Sequence, residues 1–309
     1  MSIAELGNGY FEQQGTNYGL GSLSDCFVRC PDTSVEATEQ VIVYKTKTRP
    51  DYWFGNYIVS SSPVTIESLP EIRSQWQKEF SQEAGILWQI VEWEIPFDGE
   101  MPDVSKVAIA LNAEIDIRIV RIARRGEFQF QLSRTELTAD IELIKVKNEV
   151  QYENALKIAL ADHEATPQSG ATSDFIQWRL EQRRQSANLG NGNWWLLMHQ
   201  GVPVASCGLF FDQDGLKGRF REVTTHPKWR GRGFATKLCG MLAQKFLEQG
   251  QVQELIIVSE PDSIADRIYS KLGFKAVSYQ IALITDPSAS SNVKVGIIYF
   301  NLMHHGKRL

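Results

Sequence analysis

The run Arg219-Phe-Arg-Glu-Val-Thr-Thr-His-Pro-Lys-Trp-Arg-Gly-Arg-Gly-Phe-Ala-Thr236 most constrains what this chain can fold into. It reads as a strand, a tight basic turn and the first turn of a helix. Gly231 and Gly233 admit backbone conformations that a Cβ would forbid and let a ligand approach the main chain closely. The helix that follows opens with unpaired N–H groups and the positive end of its dipole. Arg230 and Arg232 add charge at the same point, so the turn suits phosphate or pyrophosphate. Two familiar phosphate cradles do not fit. A P-loop requires Gly-x-x-x-x-Gly-Lys-Ser/Thr, which is absent. A dinucleotide fingerprint requires a third small residue where Thr236 stands, and a ribose-binding acid about 20 residues on, which is not evident.

Arg230-Gly-Arg-Gly233-Phe-Ala235 resembles the acyl-CoA signature Arg/Gln-x-x-Gly-x-Gly/Ala of the GNAT superfamily of N-acetyltransferases. Downstream, Tyr269-Ser-Lys-Leu-Gly273-Phe274 is similar to that superfamily's later motif, Tyr-x-x-x-Gly-Phe, with a helix, a strand and a helix between the two. The plainer alternative is a solvated Gly/Arg turn. The resemblance covers about residues 139–309. It implies an acyl-CoA N-acyltransferase fold: α/β (α+β), with a mixed, mostly antiparallel twisted sheet flanked by helices.

The 309 residues allow two domains. The net charge of −5 argues against bulk nucleic-acid binding, whose footprint is basic. No run of about 18 apolar residues suggests a membrane span. The N-terminus lacks a basic segment followed by an apolar core, so no secretory signal is expected. Cys26, Cys30, Cys207 and Cys239 form no Cys-x-x-Cys pair and no His cluster accompanies them, so neither zinc nor any other metal is expected. Free thiols fit a cytoplasmic protein. Monomer and homodimer both remain open.

Along the chain, Gly15–Ser24 reads as loop, and Gln40–Lys45 and Tyr57–Ser60 as strands. A helix follows from about Ile66, then a strand over Ile86–Trp93, a helix from about Pro102 and a strand over Ala113–Ile122, with β character continuing from Glu127 to Leu132. The Tyr52-Trp53-Phe54 cluster suits packing, as aromatics are usually buried. The second half begins near Ala139. Strands are expected at Ile141–Val146, Trp194–His199, Val204–Phe211 and up to Thr225, and helices at Val150–Asp162 and Asp174–Gln185. Phe234, Leu238, Leu242 and Phe246 set a helical face, Glu254–Val258 a buried strand, and Pro261 the start of a further helix. Ala276–Ile284 and Lys294–Leu302 complete the β content.

The first half shows the same order of hairpin, helix, strand, helix and strand. Its counterpart of the glycine-rich loop, Ser60-Ser-Ser-Pro-Val-Thr-Ile66, has no glycine and no basic residue. Residues 1–138 therefore read as a degenerate acetyltransferase-like domain without a cofactor loop, ahead of an acetyl-CoA-binding domain at 139–309. An unrelated α/β cap is the alternative.

The resemblance implies an acetyl-CoA-dependent N-acetyltransferase acting on a primary amine of a small molecule or peptide, by direct attack in a ternary complex. Acetyl-CoA is the implied co-substrate. Its pantetheine arm would bond the backbone of Val223, Thr224 and Thr225, and its pyrophosphate would lie over Arg230, Gly231, Arg232, Gly233, Phe234, Ala235 and Thr236. One of the two arginines could instead be a solvated charge. A lysine-like amine with a pKa of about 10.4 is neutral only to roughly one part in 10³ at pH 7, so a base or a water relay to one is needed. Glu222 and His226 flank the strand and are the candidates. Glu222 and Val223 alternate in direction, and His226, before Pro227, could simply cap the turn. Tyr269 stands where the superfamily places the proton donor to the thiolate; the other possibility is a core tyrosine. Asp262 departs from the asparagine that many relatives carry. A non-catalytic acyl-CoA-binding scaffold or sensor is the alternative function.

Overall fold

A computed structural model describes residues 18–83, 85–86, 88–130, 140–166 and 171–285. The chain forms two compact units, one of residues 18–120 with 277–285 and one of residues 121–276.

In the first unit, α1 (Leu20–Asp25) precedes β1 (Ser34–Ala37), β2 (Val41–Lys45) and β3 (Tyr57–Ser60), which run antiparallel in sequence. Next come α2 (Leu69–Phe80), β4 (Gln89–Pro96), α3 (Ser105–Leu111) and β5 (Ala113–Arg124). Strand alternation divides the core. Ile42 and Tyr44 pack with Tyr57, Val59 and Ile90, while Val41 and Val43 meet Trp76 and Phe80 of α2 on the other face. The expected aromatic cluster packs: Tyr52 is buried, and Trp53 lies 4.0 Å from Trp88 between ring centroids.

The second unit contains β6 (Ile141–Lys145), α4 (Glu149–Ala165), α5 (Ser173–Asn188), β7 (Gly192–His199), β8 (Val202–Phe211), β9 (Lys217–Thr225), α6 (Phe234–Gln249), β10 (Glu254–Ser259) and α7 (Ile264–Lys271). A last strand, β11 (Lys275–Thr285), starts here. Strand order is β10-β9-β8-β7-β6, with the end of β5 beside β10. Pairing is antiparallel except for β9 with β10. This is a mixed, mostly antiparallel sheet flanked by helices, as the acyl-CoA N-acyltransferase fold requires. Of the apolar face expected on α6, Phe234, Leu238 and Leu242 are buried, and Phe246 packs on Phe211 and Trp195.

The boundary expected at 138–139 lies outside the described residues, and the compact units do not follow the linear halves. Strand β11 pairs antiparallel with β4 from Ser278↔Pro96 to Thr285↔Gln89, so residues 277–285 belong to the first unit. Residues 121–130 join the second for a comparable reason. The Arg121 guanidinium donates to both Asp266 carboxylate oxygens, at 2.7 and 3.2 Å, and to Phe274 O at 3.3 Å. Ser259 Oγ also donates to Asp266.

Other expectations need correction. Residues 20–24 are helical within α1, and 18–19 precede it without regular structure. Residues 125–127 turn and 128–130 form no strand, because Phe128 is drawn into the core against Phe274. The last helix starts at Ile264 rather than Pro261, since the Ser263 side chain accepts from Asp266 N and sets the cap there. The strand expected at 294–302 falls outside the described residues.

Replacing Asp266 by Ala leaves the largely covered Arg121 guanidinium without its counter-charge. The expected loss is about 3–5 kcal/mol of unfolding free energy, read as a lowered urea midpoint at unchanged m-value.

Candidate active site

The site begins where two parallel strands part. β9 and β10 pair at Lys217↔Glu254, Gly218↔Leu255 and Arg219↔Ile256, and no further among the described residues, although β9 continues to Thr225 and β10 to Ser259. A bulge bends β9 at the same level. Ser206 faces Thr224 and Gly208 faces Arg221, so Cys207 meets both Glu222 and Val223. The extra residue puts Glu222 in the left-handed region at φ 51°. Beyond the bulge, His226 N–H donates to Val204 O at 3.0 Å. Alternation then turns the main-chain N–H and C=O of Thr225 away from β8, toward the side β10 has left. Val223, Thr224 and Thr225 are all buried.

Past the strand the chain makes a 3-10 turn at Pro227–Trp229 and then the glycine-rich loop. Gly231 and Gly233 both take φ 76°, and a Cβ built on either would meet no atom within 4 Å. The loop is thus strained for other residues yet open on its outer side, as a backbone cradle for a ligand needs. Gly233 is the N-cap of α6 and supplies no side-chain cap. Phe234 sends its ring into the core, so its contribution to a ligand is limited to the main chain. Its ring meets Trp229 and His199, at 5.9 and 5.2 Å between centroids. His199 was not singled out by motif, and nothing local in the sequence marks it; its ring braces the loop from β7.

The two loop arginines differ. Arg230 is held by the buried Asp162 of α4, with Thr166 Oγ1 at 3.5 Å. Arg232 lies 4.8 Å above the Trp229 ring.

Of the candidate bases, Glu222 forms ion pairs with Arg179 and Arg183 of α5, at 3.4 and 3.5 Å. Burial alone would push its carboxyl up, but the charges of Arg179, Arg183 and Arg221 outweigh burial and hold it below the usual carboxylate range. His226 Nδ1 accepts from Lys228 N at 3.2 Å, which places the neutral imidazole's proton on Nε2. Both side chains are therefore engaged within the protein.

Tyr269 sits on α7, buried among core side chains. Burial first, then the neighbouring Cys239, Cys207 and Asp266, push its phenol well above the usual range, so it keeps its proton at neutral pH. The later motif has a local explanation. Phe274 N–H donates to Tyr269 O, Gly273 N–H donates to Ser270 O, and Gly273 takes φ 92°. These are the bonds of a Schellman cap, with the Phe274 ring 6.5 Å from Tyr269 as its apolar contact. Asp262 is exposed and left-handed, at φ 57°.

Comparison with known proteins fits this geometry. The model of the acetyltransferase (GNAT) family matches residues 155–274. That segment is a GNAT domain. No curated relative matches the chain in sequence. Among solved structures, a functionally unknown conserved protein of Staphylococcus epidermidis aligns with TM-score 0.63 at 13% identity, covering 82% of this chain and 94% of its own. A GCN5-related N-acetyltransferase of Kribbella flavida aligns with TM-score 0.57 at 19% identity, over 84% and 91%. A tandem GNAT protein from the clavulanic acid biosynthesis pathway aligns with TM-score 0.51 at 10% identity, over 87% and 88%. At these identities the likeness is one of fold. Among the described residues, no group of three or more His, Cys, Asp or Glu could hold a metal, and no helix is long and apolar enough to cross a membrane.

In the GNAT domain the Glu222 pairs make a pH-dependent contribution. A lowered folded pKa stabilises above the unfolded value of about 4.3 and loses that contribution as pH falls through the folded value. Glu222→Gln should cost about 2–3 kcal/mol at pH 7, and the gap to wild type should narrow as pH falls below about 4.3 in parallel urea titrations.

Proposed function

We propose that the chain is an N-acetyltransferase that moves the acetyl group of acetyl-CoA to a primary amine of a small molecule or peptide. The observation that carries this is the junction of the parted β9–β10 pair with an open, left-handed glycine loop leading into a helix that lacks a side-chain cap. The parted strand offers Thr225 main-chain groups to a pantetheine arm. The loop and the N–H groups of Phe234, Ala235 and Thr236 offer donors to a pyrophosphate. Arg232 adds charge there; Arg230, tied to Asp162, acts chiefly to fix the loop. The first unit is a degenerate copy of the fold that lost its loop.

The amine attacks the thioester carbon directly. The N–H of Thr225 stabilises the developing oxyanion. The Tyr269 hydroxyl gives its proton to the departing thiolate. With Glu222 in ion pairs and the His226 Nδ1 engaged, the amine loses its proton through water rather than directly to either residue. Those same two observations favour a second reading, an acyl-CoA-binding sensor without turnover. The acceptor amine determines which one holds.

Calorimetric titration of acetyl-CoA should give micromolar binding that Gly233→Glu abolishes, because the variant puts a strained backbone and a carboxylate in the cradle. Tyr269→Phe should keep that binding and lower turnover with an accepted amine about 10²–10⁴-fold. Binding with no turnover on any amine would leave the sensor. No binding would remove both readings.

A further inference from the structure

We infer that the second unit holds another small-molecule site, separate from the glycine loop, which takes a short-chain carboxylate. A cavity of about 100 Å³ opens where the start of α4, the second half of α5 and the start of β7 meet. Lys147, Tyr152, Leu180, Arg184 and Trp194 are among its walls. From Tyr152 the α4 helix continues ten residues, about 15 Å, before reaching Asp162 and the loop arginine it holds.

Trp194 supplies the decisive observation. It is 6% exposed, and its Nε1–H has no hydrogen-bond partner among the described residues. A Cβ on Gly208 would collide with Cζ3 and Cε3 of the indole, so the six-membered ring lies over Gly208 of β8. The opposite edge of the indole, which bears Nε1, therefore faces the β6 side, where Val146 and Lys147 line the cavity. An indole N–H only donates, and a buried donor left unpaired is costly. A ligand must therefore bring an acceptor.

Asn148 and Asn188 also line the cavity, and the Asn148 Oδ1 is engaged, accepting from Gln151 N at 3.0 Å. Lys147, exposed at the mouth, makes no ion pair among the described residues and carries three ammonium N–H. The Tyr152 hydroxyl is buried beside Glu181, and burial, then the Glu181 charge, push its ionisation up, so it stays protonated. Arg184 stacks 4.6 Å over the Tyr152 ring and is held by Glu149 and Glu181, which makes it a wall. Possible acceptors at the α5 end are engaged: Gln185 O, Ser186 O and Ala187 O accept from Leu189, Asn191 and Gly190. The unpaired Trp194 Nε1–H thus lies near the Lys147 cation, and Val146, Leu180 and Ala187 give an apolar lining. The volume equals roughly three waters at about 30 Å³ each. A carboxylate on a short aliphatic tail matches both the size and the chemistry.

The probe is sodium butyrate, followed through indole Nε1–H signals of the full-length ¹⁵N-labelled protein. The Trp194 signal is the one missing from Trp194→Phe. It should move saturably with butyrate, with acetyl-CoA present or absent, and should not respond to sodium chloride or butylammonium chloride at equal ionic strength. Lys147→Glu, an exposed change that keeps the reporter, should weaken the apparent Kd about tenfold or more. A static signal would mean that the cavity holds only water and would overturn the proposal. So would a shift that chloride reproduces, or one that Lys147→Glu leaves unchanged.

Discussion

The early parting of β9 from β10 is the constraint on which the rest of the second unit depends. Parallel strands in a sheet normally keep their ladder, and giving it up leaves main-chain groups that need other partners. The bulge opposite Cys207 makes the departure possible by bending β9. It leaves Glu222 in a left-handed conformation that costs a non-glycine residue about 1–3 kcal/mol. Two arginines of α5 hold that residue by its side chain. The helix that covers the sheet is thereby also the element that stabilises its distortion. Without the bulge, Thr225 would not turn its main chain toward the gap, and the loop would start from a different place.

Charge is used differently on the two sides of this gap. Arg230 is bound to Asp162 and Glu222 is bound to Arg179 and Arg183, so the most suggestive charges of the sequence are engaged within the protein. What remains for a ligand is largely backbone: open glycines, a helix terminus and a strand edge. Such groups keep their geometry whatever the protonation state, and they suit a polyanion whose recognition does not depend on a matching side chain.

Much of this was legible in the sequence where the cause is local. Gly231, Gly233 and Gly273 are each required by a left-handed turn, and Phe274 completes a cap with Tyr269 five residues away, so both motifs carry their own structural reason. Helix faces such as that of Phe234, Leu238 and Leu242 follow from spacing. What could not be read depends on distant partners. Glu222 looked like a free base because Arg179 and Arg183 lie about 40 residues upstream on another helix. Arg121 gave no sign of Asp266, 145 residues on. The pairing of β11 with β4 reassigns the end of the chain and depends on register, which alternation within a single strand does not reveal. Residues 20–24 read as loop because glycines and serines there suggest turns, while the two Glu94 oxygens that accept from Gly21 and Ser22 lie some 70 residues away.

The placement of β11 bears on how the chain folds as it leaves the ribosome. The first unit's sheet lacks the neighbour of β4 until residues 277–285 emerge, long after Val120. At about 5–20 residues per second, that gap lasts on the order of 10–30 s. Meanwhile β4, with Ile90, Val91 and Trp93, presents an open hydrophobic edge of the kind that invites pairing with another nascent chain. The chain therefore completes its N-terminal unit late, with one edge of β4 open until residues 277–285 arrive.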